Sequence, residues 1–226
     1  MTVTAAERLE SAVRQLKPPA GANRLVPLVV AGRAPLTAVA VLALEQYRII
    51  DSDRRAFLHL AQRSSGEPAI GTFFTAMADG EYIAMTRLHH LATACGLDEA
   101  AVRGYRPRAG CQAYPAYLAW LALNAEPANV VLALVANFVA WGEYCAAMSR
   151  GLREHYGFTA RACGFFDFFA QPELGDGERA LAAVRAGIDS GQLTDAADRY
   201  GQLVLAYELM FWNTLADVAA EQHPPH

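Results

Sequence analysis

The chain has 226 residues, of which 54% are hydrophobic, 10% aromatic and only 19% charged. This composition excludes an intrinsically disordered chain, because disorder needs low hydrophobicity and high net charge. The 19 Lys and Arg against 23 Asp and Glu give a formal net charge of −4. Since neutralising phosphates supplies most of the affinity for nucleic acid, we expect no nucleic-acid partner.

Helix-forming residues dominate from the N-terminus onward, and apolar residues recur at helical spacing. Thr4 followed by Glu7 predicts a capping box at the start of a first helix. The Pro and Gly residues of 18–21 end that helix. A short helix is predicted over Arg24–Ala31, and Pro35 begins a long one.

Proline and glycine also divide the middle of the chain. The long helix closes at Ser64–Gly66, and Pro68 opens the next, which Gly96 terminates. A loop is predicted over Gly104–Gly110, followed by a helix over Cys111–Leu123. The pattern therefore predicts two long, neighbouring helices before the midpoint of the chain.

The second half begins with a long helix from Pro127 to about His155, which Gly157 ends. Thr159–Ala170 is rich in aromatic residues, and Pro172 starts a segment that ends near Gly191. Thr194 precedes acidic residues that complement a helix dipole, so a last helix is predicted from there to about Glu221.

The whole pattern predicts eight or nine helices in one all-α domain covering residues 1–226. Residues 223–226 are expected to form a frayed tail. No repeat with a period of about 20–50 residues appears, which excludes a solenoid.

The cysteines and the apolar runs indicate in which cellular compartment the protein is expected. No CxxC pair or metal-ligand spacing occurs among the cysteines, and the N-terminus lacks the apolar core of a secretory signal. The apolar runs Val26–Val30 and Val130–Ala136 are too short to cross a bilayer, which needs about 18–20 residues. We therefore expect a cytoplasmic protein with no membrane partner. The four cysteines, expected to be free thiols, are Cys95, Cys111, Cys145 and Cys163.

The sequence does not predict a metal centre. His89 and His90 are adjacent and point about 100° apart on a helix, so one metal ion would rarely take both. Surface or capping roles are expected for them. Glu81 and Glu143 lie on apolar helix stretches and are candidates for ligands. A dinuclear carboxylate site needs Glu-x-x-His pairs, and alanine stands at the histidine position after each glutamate. Gly-rich phosphate loops and a GxSxG elbow are absent from the sequence.

Aromatic residues are concentrated near the C-terminus. Four rings lie within Phe165–Phe169, and most rings of this kind are expected to pack in the core. Glu208 follows Tyr207 directly and precedes Trp212 by four residues, on a helix expected to be largely buried. A carboxylate in such surroundings must find a donor or stay protonated. Glu208 is therefore a candidate for orienting a flat, polar ligand.

Four segments together resemble the TenA family of helical proteins: Arg24–Leu36, Leu44–Tyr47, Phe166–Glu173 and Tyr207–Trp212. The resemblance covers about residues 23–220. The best-known members of the family are type II thiaminases, which hydrolyse aminopyrimidines in thiamin salvage. The resemblance implies an all-α, haem-oxygenase-like fold and a homo-oligomer, either a dimer or a tetramer.

The resemblance also implies roles for individual residues. Glu208 matches the family's catalytic glutamate, and Phe211 matches an aromatic residue of the ligand site. The two active-site tyrosines of the family are placed at Tyr117 and Tyr144. These four residues preserve the family pattern.

Other positions of the ligand site depart from the family pattern. The thiaminase nucleophile is replaced by Ala140, and Cys145 lies about 100° round the helix from Tyr144 and is expected to point elsewhere. Gln46 stands where the family has an aspartate that binds the pyrimidine. Ile49 and Phe169 stand where the family has tyrosines.

The sequence therefore predicts a TenA-like protein with an internal pocket for a small, flat metabolite, heteroaromatic or apolar, and with no cofactor. Since alanine cannot attack the pyrimidine, standard thiaminase chemistry is not expected. Three alternatives stay open. They are aminopyrimidine hydrolysis through the carboxylate of Glu208, a haem-oxygenase-like oxidase, and a non-catalytic ligand-binding or regulatory protein.

Overall fold

The computed structural model describes residues 3–171 and 175–221 of the chain. Within these ranges the regular structure is entirely α-helical, which confirms the expected all-α class. The helices are α1 Ala5–Gln15, α2 Leu25–Val30, α3 Leu36–Arg63, α4 Pro68–Ala94, α5 Glu99–Gly104, α6 Ala109–Asn124, α7 Pro127–Tyr156, α8 Gly164–Ala170, α9 Asp176–Asp189 and α10 Ala196–Glu221.

Local chemistry explains several of the helix ends. The Thr4 hydroxyl accepts a hydrogen bond from the amide of Glu7 at 3.2 Å, and the Glu7 carboxylate accepts one from the Thr4 amide at 2.9 Å. Pro68 occupies the first turn of α4, where its missing N–H has no cost. Gly157 ends α7 with φ of 69°, a left-handed conformation that glycine adopts without strain.

Some boundaries differ from the sequence prediction. The described ranges contain ten helices rather than eight or nine, and α5 is the helix that the sequence pattern did not predict. Asp98 caps α5 by accepting a hydrogen bond from the Ala101 amide at 2.8 Å. In the aromatic segment only the part from Gly164 onward is α-helical. Pro172 and the predicted tail, 223–226, lie outside the described residues.

The four longest helices and α6 form the body of the bundle. α3 packs along α4, and α6 crosses both α3 and α10. α7 packs on α10 and α8, and its buried side chains belong to both hydrophobic clusters of the core. Consequently α3 contacts α4, α6 and α10 in the interior of the bundle.

Two helices are long and apolar enough to span a membrane by length and composition, which the sequence prediction did not foresee. They are α7 and α10, with 50% and 44% of the apolar stretch buried inside the protein. A core helix of a globular protein meets the same criterion, so this finding carries little weight for a membrane partner.

The short helix α2 lies against α7 at a close backbone contact. A Cβ added to Gly151 of α7 would lie 2.9 Å from the carbonyl oxygen of Val29 and 3.0 Å from the Cα of Val30. Glycine at position 151 therefore allows the backbones of α2 and α7 to approach each other.

Candidate functional site

The buried carboxylate of Glu45 on α3 is a structural group. Its Oε1 accepts hydrogen bonds from the Tyr105 hydroxyl at 2.6 Å and the Arg108 amide at 2.7 Å. Its Oε2 accepts one from the Gln112 side-chain amide at 2.6 Å. Three donors therefore compensate its burial, as is usual for a buried charge.

The second buried carboxylate of α3, Asp53, has very different surroundings. It is 4% exposed, and its Oδ1 has no hydrogen-bond partner in the described part of the chain. Burial first, and then the negative charge of Glu81, raises the pKa of Asp53 well above its usual range, while hydrogen bonding with Tyr114 lowers it. Asp53 and Glu81 therefore form an acidic pair in the interior.

Glu81, the second member of this pair, lies on α4 and is 8% exposed. Burial raises its pKa to about 8. Within residues 3–171 and 175–221, the ion pairs of the protein involve neither Asp53 nor Glu81. Two adjacent carboxyl groups without a cation cannot both ionise at neutral pH.

Glu208 of α10 is a third buried carboxyl group, with an exposed fraction of 6%. Burial raises its pKa to about 8, and the nearby indole N–H of Trp212 lowers it in part. The two groups do not reach hydrogen-bond geometry, since Oε1 of Glu208 and Nε1 of Trp212 both lack a partner among the described residues. An acceptor and a donor therefore lie unsatisfied close to each other.

The hydroxyl group of Tyr114, on α6, is affected by the charges of all these acidic groups. Its pKa is raised well above the usual value by burial and then by the charges of Asp53, Glu81 and Glu208. All three carboxyl groups are thus within electrostatic range of one hydroxyl. We call Asp53, Glu81, Tyr114 and Glu208 the acidic cluster.

Aromatic rings border the Glu208 side of the acidic cluster. The ring centroid of Trp212 lies 5.7 Å from that of Tyr144 and 5.2 Å from that of Trp141. Phe211 is 2% exposed, and its ring centroid lies 6.3 Å from that of Trp141. The charge of Glu208 also raises the pKa of Tyr144 after burial, so Tyr144 is near the carboxyl group.

The structure places several of the residues predicted from sequence near this cluster. Gln46 and Ile49 are buried on α3, and spacings of seven and four residues put them on the helix face that carries Asp53. Ala140 is buried on α7. Phe169 is partly buried and meets the ring of Trp141 at 5.8 Å, so it belongs to the outer edge of the aromatic border.

Tyr117 packs against two other aromatic rings. Its ring stacks on Trp120 at 5.8 Å and tilts against Tyr207 at 5.2 Å. Trp120 is 48% exposed, so these rings form an aromatic group at the surface side of α6 and α10. Tyr114, one turn earlier on α6, is the tyrosine of this helix that faces the carboxyl groups.

The structure also describes Cys145 and Glu143. The thiol of Cys145, expected to point away from the site, is fully buried, and burial first and then the charge of Glu208 raise its pKa well above the usual value. Such a thiol stays protonated and is a poor nucleophile. Glu143, a candidate ligand, is exposed on α7.

Sequence reasoning missed Asp53 and Tyr114. Asp53 lies in the charged run 51–55, which resembles a solvated helix face. The seven-residue spacing from Gln46 was the available signal, because it puts Asp53 on the buried face. Tyr114 shares α6 with Tyr117, and only the rotation of the helix decides which ring faces inward.

Two surface grooves lie at other places in the fold. One, of about 530 Å³, runs between α7 and α8 and includes Ser149, Arg153 and Asp167. The other, of about 550 Å³, lies where α3 ends and α4 begins, and includes Ser64 and Thr72. Neither groove is lined by the acidic cluster, so the internal pocket predicted from sequence stays a prediction.

The arrangement of the acidic residues does not fit a di-iron centre. In the part of the chain that the structure describes, no group of three or more His, Cys, Asp or Glu side chains is placed to hold a metal ion. Dinuclear sites of helical bundles use several carboxylates together with histidines.

Comparison with protein families gives one match. The model of the TENA/THI-4/PQQC family matches residues 25–217. None of the curated proteins matches the chain in sequence.

Solved structures share the fold at low sequence identity. A TenA homologue from P. horikoshii OT3 has a TM-score of 0.71 at 15% identity, covering 95% of this chain and 99% of that one. A domain of unknown function with a heme oxygenase-like fold, from Shewanella denitrificans, has a TM-score of 0.67 at 13% identity, covering 98% and 93%. A TenA family transcription regulator from Silicibacter has a TM-score of 0.63 at 16% identity, covering 95% and 97%. These similarities show the haem-oxygenase-like fold.

Proposed function

Since this chain belongs to the TENA/THI-4/PQQC family, we propose that it binds a small, flat, protonatable heteroaromatic metabolite at the acidic cluster. Glu208 is the group that orients the ring and exchanges a proton with it. Tyr144 and Phe211 pack against the ring, and Gln46 contacts one edge of it. Ile49, Phe169 and Ala140 supply apolar surface.

The observation that carries this proposal is the unsatisfied pair formed by Glu208 and Trp212. Buried polar atoms are nearly always hydrogen bonded, and one that is not needs an explanation. A carboxyl group beside an indole N–H presents an acceptor and a donor together, which suits the edge of a nitrogen heterocycle with its own donor and acceptor. The neighbouring aromatic rings favour a flat ligand.

The charge of the site favours a basic ligand over an apolar one. The charges of three carboxyl groups act on Tyr114, and within the described residues none of the three is in an ion pair. A cation entering the site would stabilise their ionised forms and lower their pKa values. A purely apolar ligand would leave the same groups unpaired.

A second candidate function is hydrolysis of an aminopyrimidine by carboxylate chemistry. The specific observation is that Glu81 and Glu208 both have pKa values raised to about 8, near the pH at which a general acid or base works best. In this reaction a carboxylate takes a proton from water, and the water oxygen forms the new bond to the carbon. The C–N bond breaks, and a carboxylic acid protonates the departing amine.

The test is a thermal-shift titration with 4-amino-5-hydroxymethyl-2-methylpyrimidine, its aminomethyl analogue and thiamin. A ligand that binds only the native state raises the melting temperature by mass action. We expect the pyrimidines to stabilise the wild-type protein, and E208Q to weaken binding by about tenfold or more, the value of one hydrogen bond to a charged group.

The exposed Glu143→Gln variant is the matched control and should bind as the wild type does. Equal binding by E208Q and the wild type would remove Glu208 from the site. Release of ammonia from the aminomethyl compound, measured over time, separates hydrolysis from binding alone.

The family also supports proposals on assembly and location. We propose a homo-oligomer in the cytoplasm, which light scattering and cell fractionation would check. The Silicibacter relative is described as a transcription regulator, but the net charge of −4 gives this chain no electrostatic attraction to DNA. A gel-shift experiment at low salt should show no complex.

A further inference from the structure

We propose that the outer sides of α6 and α10 form one apolar surface, which pairs with the same surface of a second copy of this chain. The inference rests on the homo-oligomer proposed above, since it assigns to that assembly the part of the molecule that makes the contact. We call this surface the α6–α10 face. Its residues are Ala113, Ala116, Tyr117, Trp120 and Leu123 of α6, and Tyr200, Leu203, Ala206, Tyr207 and Met210 of α10.

Contacts between aromatic rings join the two helices into a single surface. Trp120 of α6 stacks on Tyr117, with ring centroids 5.8 Å apart and an angle of 7° between the planes. The Trp120 ring also meets the ring of Tyr200 on α10 at 6.4 Å, and Tyr117 meets Tyr207 at 5.2 Å. The exposed side chains on either side of these rings therefore belong to one continuous patch.

The α6–α10 face exposes several large apolar side chains close together. Their exposed fractions lie between 44% and 67%, and they are Trp120, Leu123, Leu203 and Met210. Single exposed apolar residues are normal on a protein surface. A contiguous group of them, in contrast, marks a site of interaction with another surface.

Charged side chains are missing from this face along both helices. The sequence of α6, Ala109–Asn124, contains no Asp, Glu, Lys, Arg or His. Between Arg199 and Asp217 of α10 the one charged residue is Glu208, which is buried. An ordinary surface helix carries charged residues on its outer side, whereas the core of an interface is depleted in charge and enriched in Trp, Tyr and Met. The composition of this face therefore matches an interface.

A second copy of the chain fits this face better than a lipid surface does. Each copy has a net charge of −4, so two copies repel each other and meet most easily where charges are absent. In a two-fold contact the same patch lies on both sides, and a charge close to the axis would face its own counterpart. Helices that bind anionic membranes carry Lys and Arg beside the apolar side, and α6 has neither.

The size of the face is sufficient for a stable pair. Trp120 alone, which is 48% exposed, contributes about 120 Å² out of about 250 Å² for the whole residue. With the other side chains of the face, the exposed area is on the order of 600–700 Å². Each partner in an interface of standard size contributes about 600–1,000 Å². One such face on each copy is therefore enough.

The experiment places a charge on the face and measures the assembly of the full chain by light scattering. L203K and M210K change side chains that are already exposed, and circular dichroism checks the helical content. At high micromolar concentration the wild type should have at least twice the mass of one chain, and each variant half the wild-type mass or less. The matched control is Y82K, since Tyr82 is 68% exposed on α4, and it should assemble as the wild type does.

Trp120 also reports on the pairing through its fluorescence. Dilution should separate the copies, expose the indole ring to water and shift the emission of the wild type to longer wavelength. W120F keeps an aromatic side chain at this position but removes the reporter, so its emission should stay constant on dilution. The same red shift in W120F would overturn the inference, because it would then arise from Trp141 or Trp212.

The remaining outcomes separate this inference from the function proposed above. Wild-type mass in both L203K and M210K would overturn the α6–α10 face and leave the homo-oligomer standing. A wild-type monomer at high micromolar concentration would overturn both, and its cosedimentation with phosphatidylcholine vesicles would assign the face to a membrane instead. A wild-type dimer that binds neither pyrimidine would overturn the proposed ligand and leave the α6–α10 face standing.

Discussion

Glu208 and Trp212 lie one turn apart on α10 and are both buried, and neither Oε1 of Glu208 nor Nε1 of Trp212 has a hydrogen-bond partner among the described residues. The indole still lowers the pKa of the carboxyl group, so the two are close. Burial dominates, however, and the carboxyl group holds its proton at neutral pH. This makes the stability of the protein depend on pH in a predictable direction.

The first prediction concerns that pH dependence. The pKa of Glu208 is about 8 in the folded protein and near the ordinary 4.5 in the unfolded chain. Between these values the folded state binds a proton that the unfolded state has released. The free energy of unfolding therefore falls as pH rises, by up to about 1.4 kcal/mol per pH unit.

E208Q, which is neutral at every pH, should lose less stability than the wild type between pH 5 and pH 8, by about 2–4 kcal/mol. Urea unfolding at several pH values measures the difference. A slope remains in E208Q, because burial also raises the pKa of Glu81 to about 8. The exposed E143Q variant should keep the wild-type slope, and a wild-type slope in E208Q would contradict the raised pKa.

The second prediction is that removing the charge of Glu45 destabilises the protein, unlike removing that of Glu208. E45Q should destabilise the protein at pH 7 by about 2–3 kcal/mol, because the new amide group would face the donors that now bond the carboxylate. Chemical denaturation of E45Q and E208Q side by side at pH 8 measures both effects. Stability of E45Q within about 0.5 kcal/mol of the wild type would show that this carboxylate is not a structural anchor.

The third prediction concerns the thiols. Burial raises the pKa of Cys95 to about 12, and those of Cys111, Cys145 and Cys163 lie above the usual value for the same reason. Since only the thiolate reacts, iodoacetamide at pH 8 should label the native protein slowly. After unfolding, it should label all four thiols.

Mass spectrometry over time measures the labelling. C145S should retain the ligand binding of the wild type, because a buried thiol with a raised pKa stays protonated and is a poor nucleophile. A rapid reaction of one thiol in the native protein would instead restore a cysteine nucleophile to consideration.

The fourth prediction tests the contact between α2 and α7. G151A should lower the free energy of unfolding by about 1–3 kcal/mol, because the new methyl group would lie 2.9 Å from the backbone oxygen of Val29. G164A is the matched control, since a methyl group at the start of α8 would meet nothing within 4 Å. It should be neutral or stabilising by up to about 1 kcal/mol, as alanine favours helix. Equal effects of the two substitutions would contradict the close approach.

Much of the fold could be predicted from the sequence because its helix boundaries are marked locally. Thr4 with Glu7, Pro68 and Gly157 each fix a helix end through their own backbone or side-chain chemistry. The six-residue α5 was missed because it is too short for a helical periodicity and buries none of its residues.

The candidate site was predicted less completely, since it depends on how helices rotate against one another. Glu208 was found because its aromatic neighbours adjoin it in the sequence. Asp53, Glu81 and Tyr114 come from three separate helices, and their proximity is a product of packing. The same limitation explains the preference for Tyr117, which shares α6 with Tyr114 and differs from it only in direction.

The three hydrogen bonds of Glu45 have a consequence for where the chain can change in length. They tie the middle of α3 to Tyr105, Arg108 and Gln112, across the loop that leads into α6. Tyr114 follows two residues after Gln112, so its position depends on this attachment. Insertions at residues 105–108 would shift α6 along its axis and withdraw the Tyr114 hydroxyl from the carboxyl groups. Insertions near Ser65 and Gly66, between α3 and α4, would not break this attachment.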